Sequence, residues 1–383
     1  MSRNIGSRTA GWVLCLTLVF ISIIYPLTSE SDFLKIPKSA RAIGLGDSYT
    51  SIIGDSTAIE YNPAAMNTIE NFALSFMYQS WIDNAYACYL SGAMKIYDFV
   101  IGTSLYYVDY GGFSHYDAYG MLLSEYQPHD ICWKAAISMD GGLLFDFLTG
   151  FSVGIGAGVI GRGLADFGTW GLTLDLGINY TFTLQRLGFK YDSDLFRMPI
   201  NAGFALQNIG FTGDTAAPLK GTLGISAGLA KDLYLSLDVA LEYGRPFLYK
   251  MGIEYTLFNI LILRTGFNLG RDTGNLAFGL GLRYPEYFND LRLDYAFSYM
   301  GALGNNHNFS LYVDFPVFVD QVSQYYQQGI YHYLHGDYEL AKEKWLKALA
   351  IDPENKLVRK KLDDLEKLMK LNQMVDSDNG TSQ

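Results

Sequence analysis

The chain has 383 residues, a net charge of −11, and 17% charged side chains beside 40 glycines, 29 tyrosines and 24 phenylalanines. Soluble domains average about 25% charged residues, and nucleic-acid binders carry a basic stripe that is missing here. The composition excludes a nucleic-acid partner and suits a membrane β-barrel rich in glycine and tyrosine.

Residues 1–31 read as an export signal. Arg3 and Arg8 form a positive start, and Gly11 to Ile24 is an apolar core too short for a membrane helix. Ser29 or Ser31 offers the small residue for cleavage. Cys15 follows Leu14 inside the apolar core, which is not a lipoprotein setting. No long apolar helix follows, so export and barrel insertion is the expected route.

Residues 33–71 precede the strands and carry two motif-like runs. The first is Ser39-Ala40-Arg41-Ala42-Ile43-Gly44-Leu45-Gly46-Asp47-Ser48; the second runs from Gly54-Asp55-Ser56 to Asn62-Pro63-Ala64-Ala65-Met66. The second predicts a short helix ending at Asn62, because a residue before proline resists the helical region. Gly44-Leu45-Gly46 lacks the Lys-Ser/Thr that a phosphate loop requires.

Residues 72–315 form a series of segments with period-two alternation. In Trp170 to Phe182, Trp170, Leu172, Leu174, Leu176, Ile178, Tyr180 and Phe182 share one face, opposite Thr173, Asp175 and Asn179. The wet faces are small and polar, and aromatics gather toward segment ends, as girdles require. Segments of about ten residues span a bilayer when tilted. A soluble sandwich is the alternative; these features favour a transmembrane barrel. The alternation predicts about fourteen antiparallel strands: 72–79, 84–93, 98–109, 129–138, 149–161, 169–182, 199–208, 219–230, 232–243, 247–257, 260–269, 275–284, 290–299 and 307–315. Lys231-Asp232 and Phe258-Asn259 suit short periplasmic turns; 111–128 suits an external loop. The long, charged connection 185–198 fits neither rule. Cys88 and Cys132 fall on the second and fourth strands, which are not neighbours, so no disulfide is expected.

Asp175, Lys220, Asp238, Glu242, Lys250, Glu254, Arg264, Arg292 and Asp294 all take the wet side. Hairpin geometry predicts Glu242 near Lys250 and Glu254 near Arg264. They form either a structural charge ladder in a filled lumen or a polar wall along a solute path. Arg264, Arg292 and Asp294 are the candidate ligand or gating residues on that wall, with Asn62 and Pro63, which either cap a helix or meet a ligand.

Val322 to Asn355 fits the 34-residue tetratricopeptide pattern through Gly329, Gly336, Tyr338, Ala341, Trp345, Ala348, Leu349 and Pro353. A third helix over 356–371 carries Leu357, Leu362, Leu365 and Leu368 as its apolar stripe. Such helices present peptide grooves, which makes Tyr325, Tyr333 and Trp345 candidate partner contacts. An even strand count puts residues 319–372 in the periplasm as a small helical domain, and 373–383 reads as a disordered tail. His332 and His335, a turn apart, read as a surface pair rather than a metal site, and no Ser–His pair suggests an enzyme.

Ala40-Arg41-Ala42 together with Asn62-Pro63-Ala64, ahead of alternating strands, resembles the FadL-like outer-membrane barrels, nearest the PorV/PorQ-type branch and similar spirochaetal proteins. The family pattern has Gly where this chain has Ala65. The resemblance covers residues 33–315. It implies an N-terminal hatch inside the barrel and uptake of small hydrophobic molecules such as long-chain fatty acids. Through the PorV-like branch it implies the alternative, a docking or secretion-accessory protein that binds a periplasmic partner through the helices. A surface antigen acting through external loops is a third reading. No cofactor is implied.

Overall fold

The computed structural model describes residues 32–380 except 82–83, 146–147, 149, 165–166, 184–197, 231, 243–244, 272–273, 285–289, 302–303, 316–320 and 335–336. The expected export signal and most of the 185–198 connection lie outside the described residues. The chain divides into two compact units, before and after the Phe315–Pro316 bond.

The first unit is a closed antiparallel barrel. Its strands are β1 (Phe72–Ser80), β2 (Tyr86–Ile96), β3 (Phe99–Asp109), β4 (His129–Asp140), β5 (Phe151–Leu164), β6 (Phe167–Phe182) and β7 (Ile200–Thr212). They continue as β8 (Lys220–Ala230), β9 (Leu233–Glu242), β10 (Leu248–Leu257), β11 (Leu261–Leu269), β12 (Leu276–Tyr284), β13 (Asp290–Tyr299) and β14 (Asn305–Phe315). All fourteen expected strands are present, with ends shifted by a few residues. Each pairs with its sequence neighbours, and β14 returns to β1 with Phe72 opposite Phe315. The ring therefore leaves no strand edge unpaired, which lipid demands. β1 begins and β14 ends at one rim, here the terminal end; the opposite rim is the loop end. The expected loop 111–128 is partly ordered as a hairpin, Phe113–Tyr116 against Leu122–Tyr126.

Burial is the reverse of a soluble sandwich. Leu174 is 47% exposed, while the adjacent Asp175 is 1% exposed. Aromatics ring both ends of the outer face. Phe151 stacks on Tyr180 at 4.4 Å toward the terminal end, and Trp170 meets Phe211 edge-on at 5.8 Å toward the loop end. An apolar band between aromatic girdles is the lipid-facing pattern. Phe258 and Asn259 both take positive φ (54° and 59°), the geometry of a tight primed turn between β10 and β11. Cys88 and Cys132 are free, with β3 between their strands.

The chain's own N-terminal segment packs against inward-facing side chains of the barrel wall. It runs through a 3-10 turn (Asp32–Lys35), helix α1 (Ala40–Gly44) and two further 3-10 turns, Ser56–Glu60 and Pro63–Thr68. The expected helix ending at Asn62 is corrected here. The first of those turns stops at Glu60, and Asn62 begins the next, with extended backbone and a side chain that accepts from the Ala64 amide at 3.1 Å. Pro63 sits where its missing N–H costs nothing. Glycines on the wall let the segment approach: a Cβ on Gly266 would collide with the backbone of Gly46, and one on Gly177 with Asn62.

The second unit has three helices, α2 (Gln321–Leu334), α3 (Tyr338–Ile351) and α4 (Lys356–Gly380). Its core joins Val322, Ala341, Trp345, Ala348, Val358, Leu362 and Leu365. Leu357, expected on the apolar stripe, is 57% exposed; Val358 packs instead. The tail expected to be disordered from 373 continues α4 to Gly380. No proline, and no glycine before Gly380, interrupts it.

Candidate functional site

The lumen wall has two unlike halves. The charged half lies on β9, β10, β11 and β13. Glu254 and Arg264 face each other across β10 and β11, and Arg264 Nε meets Glu254 Oε2 at 2.6 Å while its Nη1 meets Asp294 Oδ1 at 2.6 Å. The N-terminal segment completes this network. Arg41 donates twice to Glu254, at 2.9 and 2.8 Å. Arg292 donates to Asp55 at 3.1 Å and lies over the Tyr312 ring. Asp238 accepts from the backbone amides of Tyr49 and Thr50, both at 3.0 Å.

The expected Glu242–Lys250 pairing is corrected. The register puts Lys250 opposite Asp238 and Glu242 opposite Lys220, and Lys250 reaches inward to Asp47 at 2.5 Å. Arg271 reaches the same carboxylate at 3.2 Å. Across the lumen, Lys134 bridges Asp175 at 2.7 Å and Glu60 at 3.3 Å. Burial alone would raise the Asp55 carboxyl, but Arg292 and Arg41 hold it below its ordinary range. Burial likewise opposes ionisation of Glu60, and Lys134 and Lys38 overcome it. Both carboxylates therefore remain charged inside the barrel.

The apolar half lies on β1 to β5. Met77, Tyr89, Tyr106, Val108, Cys132 and Ile160 point inward and pack around Phe33 and Leu34. Phe33 stacks on Tyr106 with centroids 6.2 Å apart and planes 7° apart. Lys38 Nζ stands 5.0 Å from the centre of the same Tyr106 ring and donates to the Leu34 and Ile36 carbonyls at 2.6 and 2.9 Å. The recess is thus aromatic and aliphatic, with the Lys38 ammonium at its rim, 4.0 Å from the Glu60 carboxylate that Lys134 also pairs.

Among the residues singled out from sequence, Arg264, Arg292 and Asp294 come together in the charged half. Asn62 and Pro63 lie elsewhere, against β5 and β6. Asn62 is fully buried and donates to the carbonyls of Thr50 (2.9 Å) and Ile178 (3.2 Å), so its amide pins the segment to the wall. Trp345 is corrected from a partner contact to a core residue. It is 0% exposed, and its Nε1 donates to the Tyr326 carbonyl at 3.1 Å. Tyr325 and Tyr333 are half-buried against the same core. His332 is half-buried with Asp337 at 3.7 Å; His335 lies outside the described residues. Among the described residues no three His, Cys, Asp or Glu side chains gather as a metal site.

Sequence reasoning missed Arg41, Asp47, Asp55 and Glu60 as partners of the wall charges, although all four sit in or beside the two motif runs. It also missed the inward apolar patch. The available signal was Tyr89, Tyr106 and Val108 on the register that is small and polar elsewhere.

No protein-family model matches the chain, and no curated protein matches it. Solved structures do. The Pseudomonas putida toluene transporter TodX is 12% identical, with a TM-score of 0.47, over 72% of this chain and 96% of that one. A Pseudomonas aeruginosa FadL homologue is 12% identical with a TM-score of 0.44, over 76% of this chain and 99% of that one. The Acinetobacter baumannii outer membrane protein Omp33 is 9% identical with a TM-score of 0.36, over 64% of this chain and 98% of that one.

Proposed function

We propose that this chain is an outer-membrane uptake channel for small hydrophobic molecules, in a conformation closed by its own N-terminal segment. The observation that carries the reading is the seat of Phe33 and Leu34. Two apolar side chains of a short terminal turn fill a recess of inward tyrosine, valine, isoleucine and methionine, a lining that a purely aqueous channel has no use for. Apolar solute and apolar side chain compete for the same surface, because burial of either removes similar area from water. Displacing the turn exposes the recess and the Lys38 ammonium at its rim, 4.0 Å from Glu60, as a contact for the carboxylate of a fatty acid. The ion pairs of the charged half, together with Lys134 of β4 on Glu60, hold residues 41–60 in place, so movement begins at residues 32–38 rather than along the whole plug. The sequence resemblance implies the same solute class. Entry is from the loop end, outside the cell, and the terminal end and the tetratricopeptide-like helices face the periplasm.

The test is binding of a fluorescent long-chain fatty acid, with single-channel conductance, on the purified full-length protein and on Phe33→Ala/Leu34→Ala. The double variant is expected to bind more tightly than wild type and to conduct more often. No saturable binding and no conductance in either form would remove the channel reading.

A second reading is a docking protein that works through the helices. It is supported by Leu340, Leu346 and Ile351, large apolar side chains 44–48% exposed on α3. Deleting residues 319–380 separates the two readings: a channel keeps fatty-acid binding, whereas a docking protein loses its partner.

A further inference from the structure

Beside the Phe33–Leu34 recess lies a polar cavity of about 20 Å³, room for roughly one water. Leu34 belongs to both: it packs in the apolar recess and lines the cavity. The N-terminal turn supplies one side of the cavity through Leu34 to Lys38. The wall supplies the other through Lys134 of β4 and Lys220, the first residue of β8. An apolar chain that takes the place of Leu34 therefore carries its end to this cavity.

The cations around the cavity are unequally matched. Lys35 pairs with Asp32 at 2.6 Å. Lys38 donates to two carbonyls of its own segment and stands 4.0 Å from Glu60. Lys134 holds Asp175 and Glu60, and Lys250 and Arg271 both hold Asp47. Lys220 is the exception. Its cross-strand neighbours are Gln207 on β7 and Glu242 on β9. Among the described residues, however, its ammonium meets neither an ion-pair nor a hydrogen-bond partner. The side chain is half-buried rather than sealed, and it lines the cavity, so a group placed there can reach it.

An inward ammonium without a partner is unfavourable, and ionisable groups on a barrel's inner wall tune which solutes pass. The neighbouring charges narrow the class of solute. Asp47 and Glu60 line the same cavity, so a dianionic headgroup would crowd two carboxylates, whereas a monoanion answers the one unmatched cation. Lys38 belongs to the segment that moves; Lys220 is fixed on β8.

We propose that Lys220 is the headgroup-specificity residue of the channel, making the recess select long-chain carboxylates over neutral molecules with the same chain. Lys220 has this role only if the uptake reading holds.

The experiment is equilibrium dialysis of radiolabelled decanoate and decanol against the purified full-length Phe33→Ala/Leu34→Ala protein in a non-ionic polyoxyethylene detergent. The pH is held at about 8, where the carboxylate is ionised, and partition into protein-free micelles is subtracted. Decanoate is expected to bind about tenfold tighter than decanol, as one charge-assisted hydrogen bond allows. Lys220→Met in that background should bring the ratio to about one, and Lys220→Arg, which keeps the charge, should keep most of the preference. Lys220→Met should leave the urea midpoint no lower, because no ion pair is lost; a purely structural lysine would lower it. If Lys220→Met does not reach the heat-modifiable barrel form, Lys220→Gln serves the same test. The proposal is overturned if both probes bind the opened protein equally, or if folded Lys220→Met keeps the preference; in either case decanol binding leaves the uptake reading standing. Binding of neither probe removes the uptake reading and the role of Lys220 together.

Discussion

The two halves of the lumen wall hold one peptide segment by opposite physics. On β9 to β13, Arg41, Asp47 and Asp55 are fixed by directional ion pairs with Glu254, Lys250 and Arg292. On β1 to β5, Phe33 and Leu34 are held by apolar packing that has no preferred direction. A buried ion pair is a poor source of net stability but is severe to break, because the remaining partner is left charged and dry. An apolar contact loosens gradually and can be taken over by another apolar group. The difference teaches where such a segment can move: the packed end yields first, and the charged end anchors it.

The largest expected effect comes from breaking the anchor. Arg264→Met leaves Glu254 and Asp294 without their shared partner and should destabilise the barrel by about 3–5 kcal/mol, read as a lower midpoint in urea unfolding. Leu34→Ala should cost less, about 2–3 kcal/mol, as a large-to-small change whose site can partly close. Protease cleavage of that variant should rise at residues 32–38 and stay unchanged at 41–60; equal cleavage of both stretches would end the distinction between the halves. Asn62→Ala, away from both the ion pairs and the Phe33–Leu34 recess, should cost about 1 kcal/mol through a lost cap, with its loss appearing in hydrogen exchange around Pro63–Thr68.

Acid sharpens the contrast with the smallest effect near neutrality. Asp55 and Glu60 have folded-state affinities for protons below those of the unfolded chain. Their contribution is complete above the ordinary carboxylate pKa of about 4 and is lost as pH falls through the depressed folded values. Protection factors at residues 55–60, with the intrinsic slowing of exchange in acid divided out, should therefore fall as the pH drops below about 4, while the Phe33–Tyr106 contact keeps its protection. A uniform loss of protection along residues 32–71 would contradict the two-half description.

Much of the barrel was legible in the residues. Period-two alternation located all fourteen strands, because side chains on neighbouring positions of a strand meet different solvents and the chemistry must switch with them. Glu254 opposite Arg264 followed from the hairpin between β10 and β11. The Glu242–Lys250 expectation failed because alternation fixes a face and not a register; sliding by a few residues changes every cross-strand partner. Trp345 was placed on the right helix but given the wrong surroundings, since an aromatic spacing alone does not say which side of a helix the other helices cover.

By itself, then, the sequence determined the number of strands, the face that meets lipid and the sign of each inward charge, because these depend only on neighbours along the chain and on the solvent. The tertiary structure decided what those charges hold. Arg41 and Glu254 are 213 residues apart, and Phe33 of the first 3-10 turn meets Tyr106 of β3. Closing the ring and threading the segment through it create those meetings, and no local pattern encodes a contact that exists only once the barrel has closed.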